Sequence, residues 1–586
     1  MYKSIIKTLY LTPLYDKKYG KIEKVRDDAL LYLIGGNDGS RELKLMRKPK
    51  FTFYLAKENL KYHRFSVPID KLQPITCPYS QRFLYMAKAV NLEYEYKQAK
   101  KDWKYKREWI QKNLYNHPQL YKADFDIEDE IKIMFNEKYG EHASDIEYTT
   151  SFSDIESRAD LGDFNQIKAE VPICSIVHVD SKSETIYVNI LNDEKYPQIK
   201  ETFNNLPKYL NHFKQFLKEI RKECVERTIK DNGDPSTIHS FNFNYKFFLF
   251  ENEKDLIKHY FDIIKETKPD FCGFWNINYD MIMIKNRAAK LGLNMADLVS
   301  DDLIPPEYRY FKYIEDGERY RLKSGTHYSR FFDKILTTSS TQWYCQMSLH
   351  SNLRKRFLET DYKLDTIGEK YAYFRKVDLE SKGYNIKDVY TKNFEVFLDY
   401  AIIDPLVQFM IERVNNDIPR QMVNCRDTNF FHGIRKTYTI KAELSTFLKN
   451  KNEIIGNNNS YDITENIPGA IIADPMNIVK KGINLLGTDT HIYRNSADLD
   501  IHSEYPSITM VYNILKTTLY GRIISIYIEK DIGNGNIFKI PISNGIDFNR
   551  MLQTIDSSIF DIGSKYFGLP KIDEIITLIE SSCCKK

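Results

Sequence analysis

Three places in this 586-residue chain gather carboxylates in patterns that could do chemistry. The first is Ala123-Asp124-Phe125-Asp126-Ile127-Glu128-Asp129-Glu130. Read as a strand, its side chains alternate between faces, which sets Asp124, Asp126 and Glu128 side by side. Neighbouring like charges destabilise a sheet, and Asp and Glu are poor strand formers, so such a strand calls for a counterion. Hard divalent cations, Mg2+ or Mn2+, take oxygen ligands and suit it. In isolation a solvated acidic turn is the commoner fate of such a run. The second place is Asp280, in Phe274-Trp275-Asn276-Ile277-Asn278-Tyr279-Asp280. The third is Tyr400-Ala401-Ile402-Ile403-Asp404, whose i, i+4 spacing puts a phenol and a carboxylate on one helix face. Taken singly, Asp280 also reads as a helix N-cap, and Tyr400 with Asp404 as the boundary of a packed helix.

The elements around these residues are strands followed by crossing helices. Ile173-Cys174-Ser175-Ile176-Val177-His178-Val179 and Thr185-Ile186-Tyr187-Val188-Asn189-Ile190-Leu191 read as two paired strands, and Phe247-Phe248-Leu249-Phe250 as another. Residues 208–226 have helical character, and 253–265 form an amphipathic helix that ends before Pro269. Together they predict one α/β domain over roughly residues 120–412. Upstream, short strand-like runs such as Phe51-Thr52-Phe53-Tyr54-Leu55 alternate with turns at 35–39, as in a small α+β domain. Its end, 97–112, interleaves Lys100, Lys101, Lys104, Lys106 and Arg107 with Trp103, Tyr105 and Trp109. That pattern fits a phosphate-tracking surface and, equally, an exposed helix with aromatics on its buried face.

Composition narrows the class. A 42% hydrophobic and 28% charged content is that of a globular protein, and domains of roughly 100–200 residues give three or four of them. Lys plus Arg (85) against Asp plus Glu (81) leaves +4, so any basic surface must be local. No apolar run approaches the ~20 residues that span a bilayer, and the N-terminus lacks the apolar core of a signal peptide, so no membrane partner is expected. The eight cysteines form no Cys-x-x-Cys pair, which argues against zinc and a disulfide framework and fits a cytoplasmic location, the host cytoplasm if the chain is viral.

The order Asp126-Ile127-Glu128, then Trp275-Asn276 with Tyr279-Asp280, then Tyr400 with Asp404 resembles the three exonuclease motifs of family B DNA polymerases, most nearly the T4-like bacteriophage type. Trp343-Tyr344-Cys345-Gln346-Met347 and Tyr362-Lys363-Leu364-Asp365-Thr366-Ile367-Gly368 agree with it. The resemblance implies an RNase H-like 3′→5′ exonuclease domain in which Asp126, Glu128, Asp280 and Asp404 hold two divalent ions. It also implies that Tyr400 orients the attacking water, that Asn276 contacts DNA and that Lys376 faces the scissile phosphate. Two metals roughly 3.5–4 Å apart serve the attacking and the leaving oxygen of an in-line displacement, which is why carboxylates recur in such sites. Asp316-Gly317, within 313–321, signals a hairpin turn, and T4-like relatives carry a hairpin here that parts primer from template.

Downstream, Asp498-Leu499-Asp500-Ile501-His502-Ser503-Glu504-Tyr505-Pro506-Ser507-Ile508 resembles motif A of the polymerase palm. By that match Asp500 is a catalytic metal ligand, Ser503 and Tyr505 line the nucleotide site, and Tyr505 closes the sugar pocket against a 2′-hydroxyl. Glu504 departs from the family, which has Leu there. No fingers motif and no Tyr-x-Asp-Thr-Asp-Ser strand is found, so the chain is expected not to polymerise alone. A short amphipathic helix is predicted from Ile572, Ile575, Ile576 and Ile579.

These readings predict a multidomain α/β and α+β protein: an N-terminal domain at 1–118, an exonuclease domain at 119–413, a return to the N-terminal domain at 414–465 and a partial palm at 466–586. The implied function is the N-terminal subunit of a split DNA polymerase with proofreading. Its expected partners are DNA, a second polypeptide supplying fingers, the rest of the palm and the thumb, and a sliding clamp. A stand-alone 3′→5′ exonuclease, a non-catalytic DNA-binding assembly subunit and a fragment of a longer polymerase remain as alternatives.

Overall fold

The structure is a computed structural model. It describes residues 2–457 apart from 19–20, 61–63, 100–102, 232–233, 316–318, 322–326, 330–332, 355–358 and 360, together with 527–531 and 537–541. The chain divides into two units, 1–462 and 463–586. In the second, strands Tyr527–Asp531 and Ile537–Pro541 pair antiparallel.

The first unit opens with strand Lys3–Leu11 paired antiparallel to Ala29–Gly36, which pairs in turn with Arg41–Arg47. Strand Lys50–Ala56 lies between Leu72–Pro78 and Leu120–Tyr121. Leu30, Phe51, Phe53, Met86, Leu120 and Ile133 form one apolar core with Ala442 and Leu448. Each fully buried side chain of the larger kind contributes about 1.5–3 kcal/mol. Ala442 and Leu448 come from helix Lys436–Asn450, and strand Glu453–Ile455 then pairs with Ser66–Pro68, so the chain returns to its N-terminal part after the α/β sheet. Trp109 is buried against Tyr96 at 5.9 Å between ring centroids, which supports the buried-aromatic reading of that end of the segment.

The acidic stretch corrects two expectations. Residues 127–139 are a helix, Ile127–Tyr139, not a strand, with Asp126 at the N-cap position. Glu128, Asp129 and Glu130 crowd its first turn, where the helix dipole favours negative charge, and the later turns add the good helix formers Lys132, Met134, Glu137 and Lys138. Gly140, at φ +86°, ends it with its N–H on the Asn136 carbonyl. The stretch also belongs to the first core, through Phe125, Ile127 and Ile133, rather than opening the α/β domain at residue 119.

That domain is built on a six-stranded mixed sheet. Its central strand, Thr150–Ser157, pairs antiparallel with Ile173–Asp180, which pairs antiparallel with Thr185–Leu191, which pairs parallel with Asn244–Phe250. On its other side Thr150–Ser157 pairs parallel with Phe271–Phe274, and that strand parallel with Gln342–Cys345. Ile173–Asp180 and Thr185–Leu191 are buried throughout, as their nearly unbroken apolar sequences require of strands covered on both faces. Helices Leu206–Lys230 and Glu253–Thr267 stand where helical periodicity put them.

The expected hairpin turn at Asp316-Gly317 lies outside the described residues, but the pairing around it differs from a tight turn there. Phe311–Ile314 pairs with Lys334–Thr337, and Arg319–Arg321 pairs with His327–Ser329, so Phe311–Ile314 and Arg319–Arg321 do not pair with each other. Among the described residues no helix is long and apolar enough to cross a membrane.

Candidate active site

Side chains alternate along Thr150–Ser157, so Phe152, Asp154 and Glu156 share one face. Phe152 meets Phe409 edge-on at 6.4 Å, which identifies that face as the one covered by helix Phe394–Asn415. On the opposite face Ser153 Oγ lies 2.9 Å from His178 Nδ1 and accepts from the Tyr260 hydroxyl at 3.2 Å. The covering helix is buried over most of its length and carries Tyr400 and Asp404 one turn apart. Asn393 starts it by accepting from Val396 N–H at 3.2 Å. Pro405 follows Asp404 directly and cannot donate to the Ala401 carbonyl, an irregularity placed beside the carboxylate.

Asp280 arrives from a third element. Strand Phe271–Phe274 passes through Trp275-Asn276 into helix Ile277–Lys290, and Asp280 sits buried in its first turn. Asn276 is exposed just ahead of it, its carbonyl accepting from Tyr279 N–H at 2.8 Å. A fourth element brings Lys376. Helix Leu364–Ala372 packs on the Asp404 helix and ends at Tyr373 (φ +53°). Phe374 then buries its ring against Phe241, and Lys376 N–H bonds Asp365 Oδ1 at 2.9 Å. From this anchored backbone Lys376 Nζ reaches Asp404 Oδ2 at 2.5 Å and the Tyr400 hydroxyl at 3.3 Å.

Asp154, Glu156 and Asp404 offer carboxylate oxygens that all lie within 4.8 Å of one another. Burial raises the proton affinity of each acid, and the other carboxylates add to it. Glu156 is pushed up to about 8 by burial and by Asp404 and Asp280, and Asp280 also to about 8 by burial and by Asp404, with Lys376 opposing in both. Asp154 and Asp404 are raised as well, chiefly by burial. Burial works against the Lys376 charge, but Asp404, Tyr400 and Asp154 outweigh it and hold the ammonium. Asp404 Oδ1 is buried with no hydrogen-bond partner among the described residues. Buried acids with one lysine among them and an unpaired oxygen form an oxygen-rich, net-negative donor set, which hard divalent cations fit.

Asp280, Tyr400, Asp404 and Lys376 therefore converge, whereas Asp126 and Glu128 do not join them. Glu128 accepts from Tyr10 N–H and from Asn429 Nδ2, both at 2.5 Å, and burial lifts its carboxyl to about 7. Asp126 accepts from the Tyr79 hydroxyl at 3.2 Å and, with Asp129 and His432, forms a separate group of metal-ligand type. The tripeptide Asp-Ile-Glu occurs at 126–128, 145–147 and 154–156, and it is the last copy whose acids lie beside Asp404. Its flanks carry the missed signal: Thr149-Thr150-Ser151-Phe152-Ser153 suits a strand, and it precedes the paired strands that complete the sheet. Asp500, Ser503, Glu504 and Tyr505 lie outside the described residues, as does the tail helix predicted at 572–579.

Residues 211–304, which include Asp280, match the family model described as DNA polymerase family B, exonuclease domain. The chain is similar to the DNA-directed DNA polymerase of Escherichia phage RB69, 22% identical over 381 residues that cover 63% of this chain and 35% of that protein. It is similar to the DNA-directed DNA polymerase of Enterobacteria phage T4, 21% identical over 362 residues, 61% of this chain and 34% of that protein. It also matches the DNA polymerase delta catalytic subunit of Candida albicans, 23% identical over 288 residues, 47% of this chain and 25% of that protein. The matched regions thus span about a third of the phage relatives' length.

Proposed function

We propose that the chain is a 3′→5′ DNA exonuclease in which Asp154, Glu156, Asp280 and Asp404 hold two divalent cations, Mg2+ or Mn2+. The observation that carries this is that Asp154, Glu156 and Asp404 offer oxygens within 4.8 Å of one another, with Asp280 electrostatically coupled to Asp404 and Asp404 Oδ1 buried without a partner among the described residues. Two cations bound there would activate water and stabilise the leaving 3′ oxygen. The chain's own residues do the positioning. Tyr400, one helical turn before Asp404, presents its hydroxyl on the same face and orients the attacking water. Lys376, beside both, faces the scissile phosphate. Asn276, exposed at the start of the Asp280 helix, contacts the incoming strand. Release of nucleotides from a 3′ single strand by the purified chain tests this reading; a chain that leaves such ends intact with Mg2+ or Mn2+ contradicts it.

The names of the phage relatives and the motif A resemblance around Asp500, Ser503 and Tyr505 support a wider role in DNA replication. In it, the chain is the N-terminal subunit of a split polymerase, completed by a second polypeptide and working on primer-template with a sliding clamp. Primer extension that appears only when the second polypeptide is added supports it; no extension and no co-purification count against it.

A further inference from the structure

Lys376 does not behave as a surface lysine. Gly368 fixes the turn that carries it, because a Cβ there would meet the Phe374 carbonyl at 2.5 Å and the Val407 side chain. Phe374 is wholly buried, and Asp365 holds the Lys376 N–H. The side chain is 28% exposed, its ammonium 5.0 Å from the centroid of the Tyr400 ring. Its Nζ takes one oxygen of Asp404 at 2.5 Å and leaves the other without a partner. This cation therefore sits on a carboxylate that the proposed metals would need.

We infer that Lys376 is a resident counterion: it holds the carboxylate cluster together before metal enters, and it competes with the divalent cation for Asp404. The inference rests on the proposed two-metal reading. Without a cation, these carboxylates repel one another wherever they are ionised, and an ammonium at hydrogen-bond distance relieves that repulsion. Once a dication arrives, the same ammonium is a like charge beside it, and it must leave Asp404 Oδ2. Its neighbour at 3.3 Å, the Tyr400 hydroxyl, is an acceptor already in place for it. The lysine thus lowers metal affinity while preserving the shape of the empty site. In this respect it is a positioning residue, acting through Asp404.

The test needs no turnover. Mn2+ uptake by the full chain is followed by loss of the free-ion electron paramagnetic signal, and the uptake belonging to this site is identified by its disappearance in Asp404→Asn. Lys376→Met is expected to bind Mn2+ about tenfold more tightly than wild type, since one unit charge has been removed next to the ion. In EDTA the same variant is expected to melt at a lower temperature than wild type, and saturating Mn2+ to raise its melting temperature more. Lys376→Arg keeps the charge and stays near wild type. Lys376→Gln replaces Lys376→Met in the titration if the latter is unfolded in EDTA. Unchanged or weaker Mn2+ binding in Lys376→Met and Lys376→Gln overturns the counterion while leaving the metal site standing. Absence of Mn2+ uptake sensitive to Asp404→Asn in every variant overturns the metal reading, and the counterion with it.

Discussion

Lys376 Nζ stands 2.5 Å from Asp404 Oδ2, joining a loop behind one helix to the carboxylate of another. The contact depends on close packing of those two helices at Gly368. Gly368→Ala pushes a methyl group into the Phe374 carbonyl and Val407, and overpacking of this kind costs about 1–3 kcal/mol. Urea unfolding should show that loss, and Mn2+ affinity should change with it as Lys376 shifts. A variant as stable as wild type would mean that the turn yields without strain.

Metal uptake should depend on pH. Glu156 and Asp280 are raised to about 8 by burial and by neighbouring acids, and ligands must lose their protons to bind. Mn2+ affinity should therefore climb between about pH 6 and 9 and then level, with protons released on binding. Titration calorimetry in two buffers of different ionisation enthalpy measures that release. The stability linkage in EDTA has a definite sign. Acids whose folded values lie above their unfolded ones stabilise the protein fully below the unfolded value, near 4. That contribution is lost as pH rises through about 8. Affinity that is flat over the same range would contradict the raised acids.

These acids are legible in the sequence where a single element has to be recognised, and not where three identical tripeptides have to be told apart. Tyr400 and Asp404 share a helix, and Asp280 opens one directly after a strand, so local spacing located them. Asp-Ile-Glu at 126–128, 145–147 and 154–156 cannot be separated by its own residues. What separates the copies is context: a helix-forming, acidic first turn after Asp126, a short 3-10 turn ending at Asp145, and a strand around Asp154 and Glu156 that pairs with Ile173–Asp180. That pairing is non-local, and alternation alone does not reveal it. Paired strands over 173–191 were legible because they are buried on both faces. The partner of Phe311–Ile314 was not, since the turn signal Asp316-Gly317 points to an immediate hairpin, whereas that strand pairs with Lys334–Thr337.

The first Asp-Ile-Glu stands apart from that cluster, beside Asp129 and His432. His432 Nδ1 lies 2.8 Å from Asp129 Oδ2, and its ring stacks on Tyr438 at 4.4 Å, tying the Ile127–Tyr139 helix to the returning chain. Burial opposes charge on His432, but Asp129, Asp126 and Glu128 outweigh it and raise its value above 6.5. A raised histidine stabilises the fold fully below its unfolded value, near 6.5, and loses that contribution as pH rises through the folded value. His432→Gln should therefore cost about 1.5–3 kcal/mol at pH 6, the worth of a hydrogen bond to a charged group, and less at pH 9. Thermal melts in EDTA across that range measure it; a cost that grows with pH would show the histidine to be neutral at pH 6.

The central claim is that the nuclease acids are Asp154 and Glu156 rather than Asp126 and Glu128. Its most direct measurement is degradation of a 3′ single-stranded oligonucleotide by two double variants, with folding checked by circular dichroism. Asp154→Ala with Glu156→Ala should lower the rate by at least about 10²–10³-fold, the scale of losing preorganised electrostatic stabilisation. Asp126→Ala with Glu128→Ala should leave it within a few-fold of wild type. The reverse pattern, activity lost with Asp126 and Glu128 and kept without Asp154 and Glu156, would contradict the account.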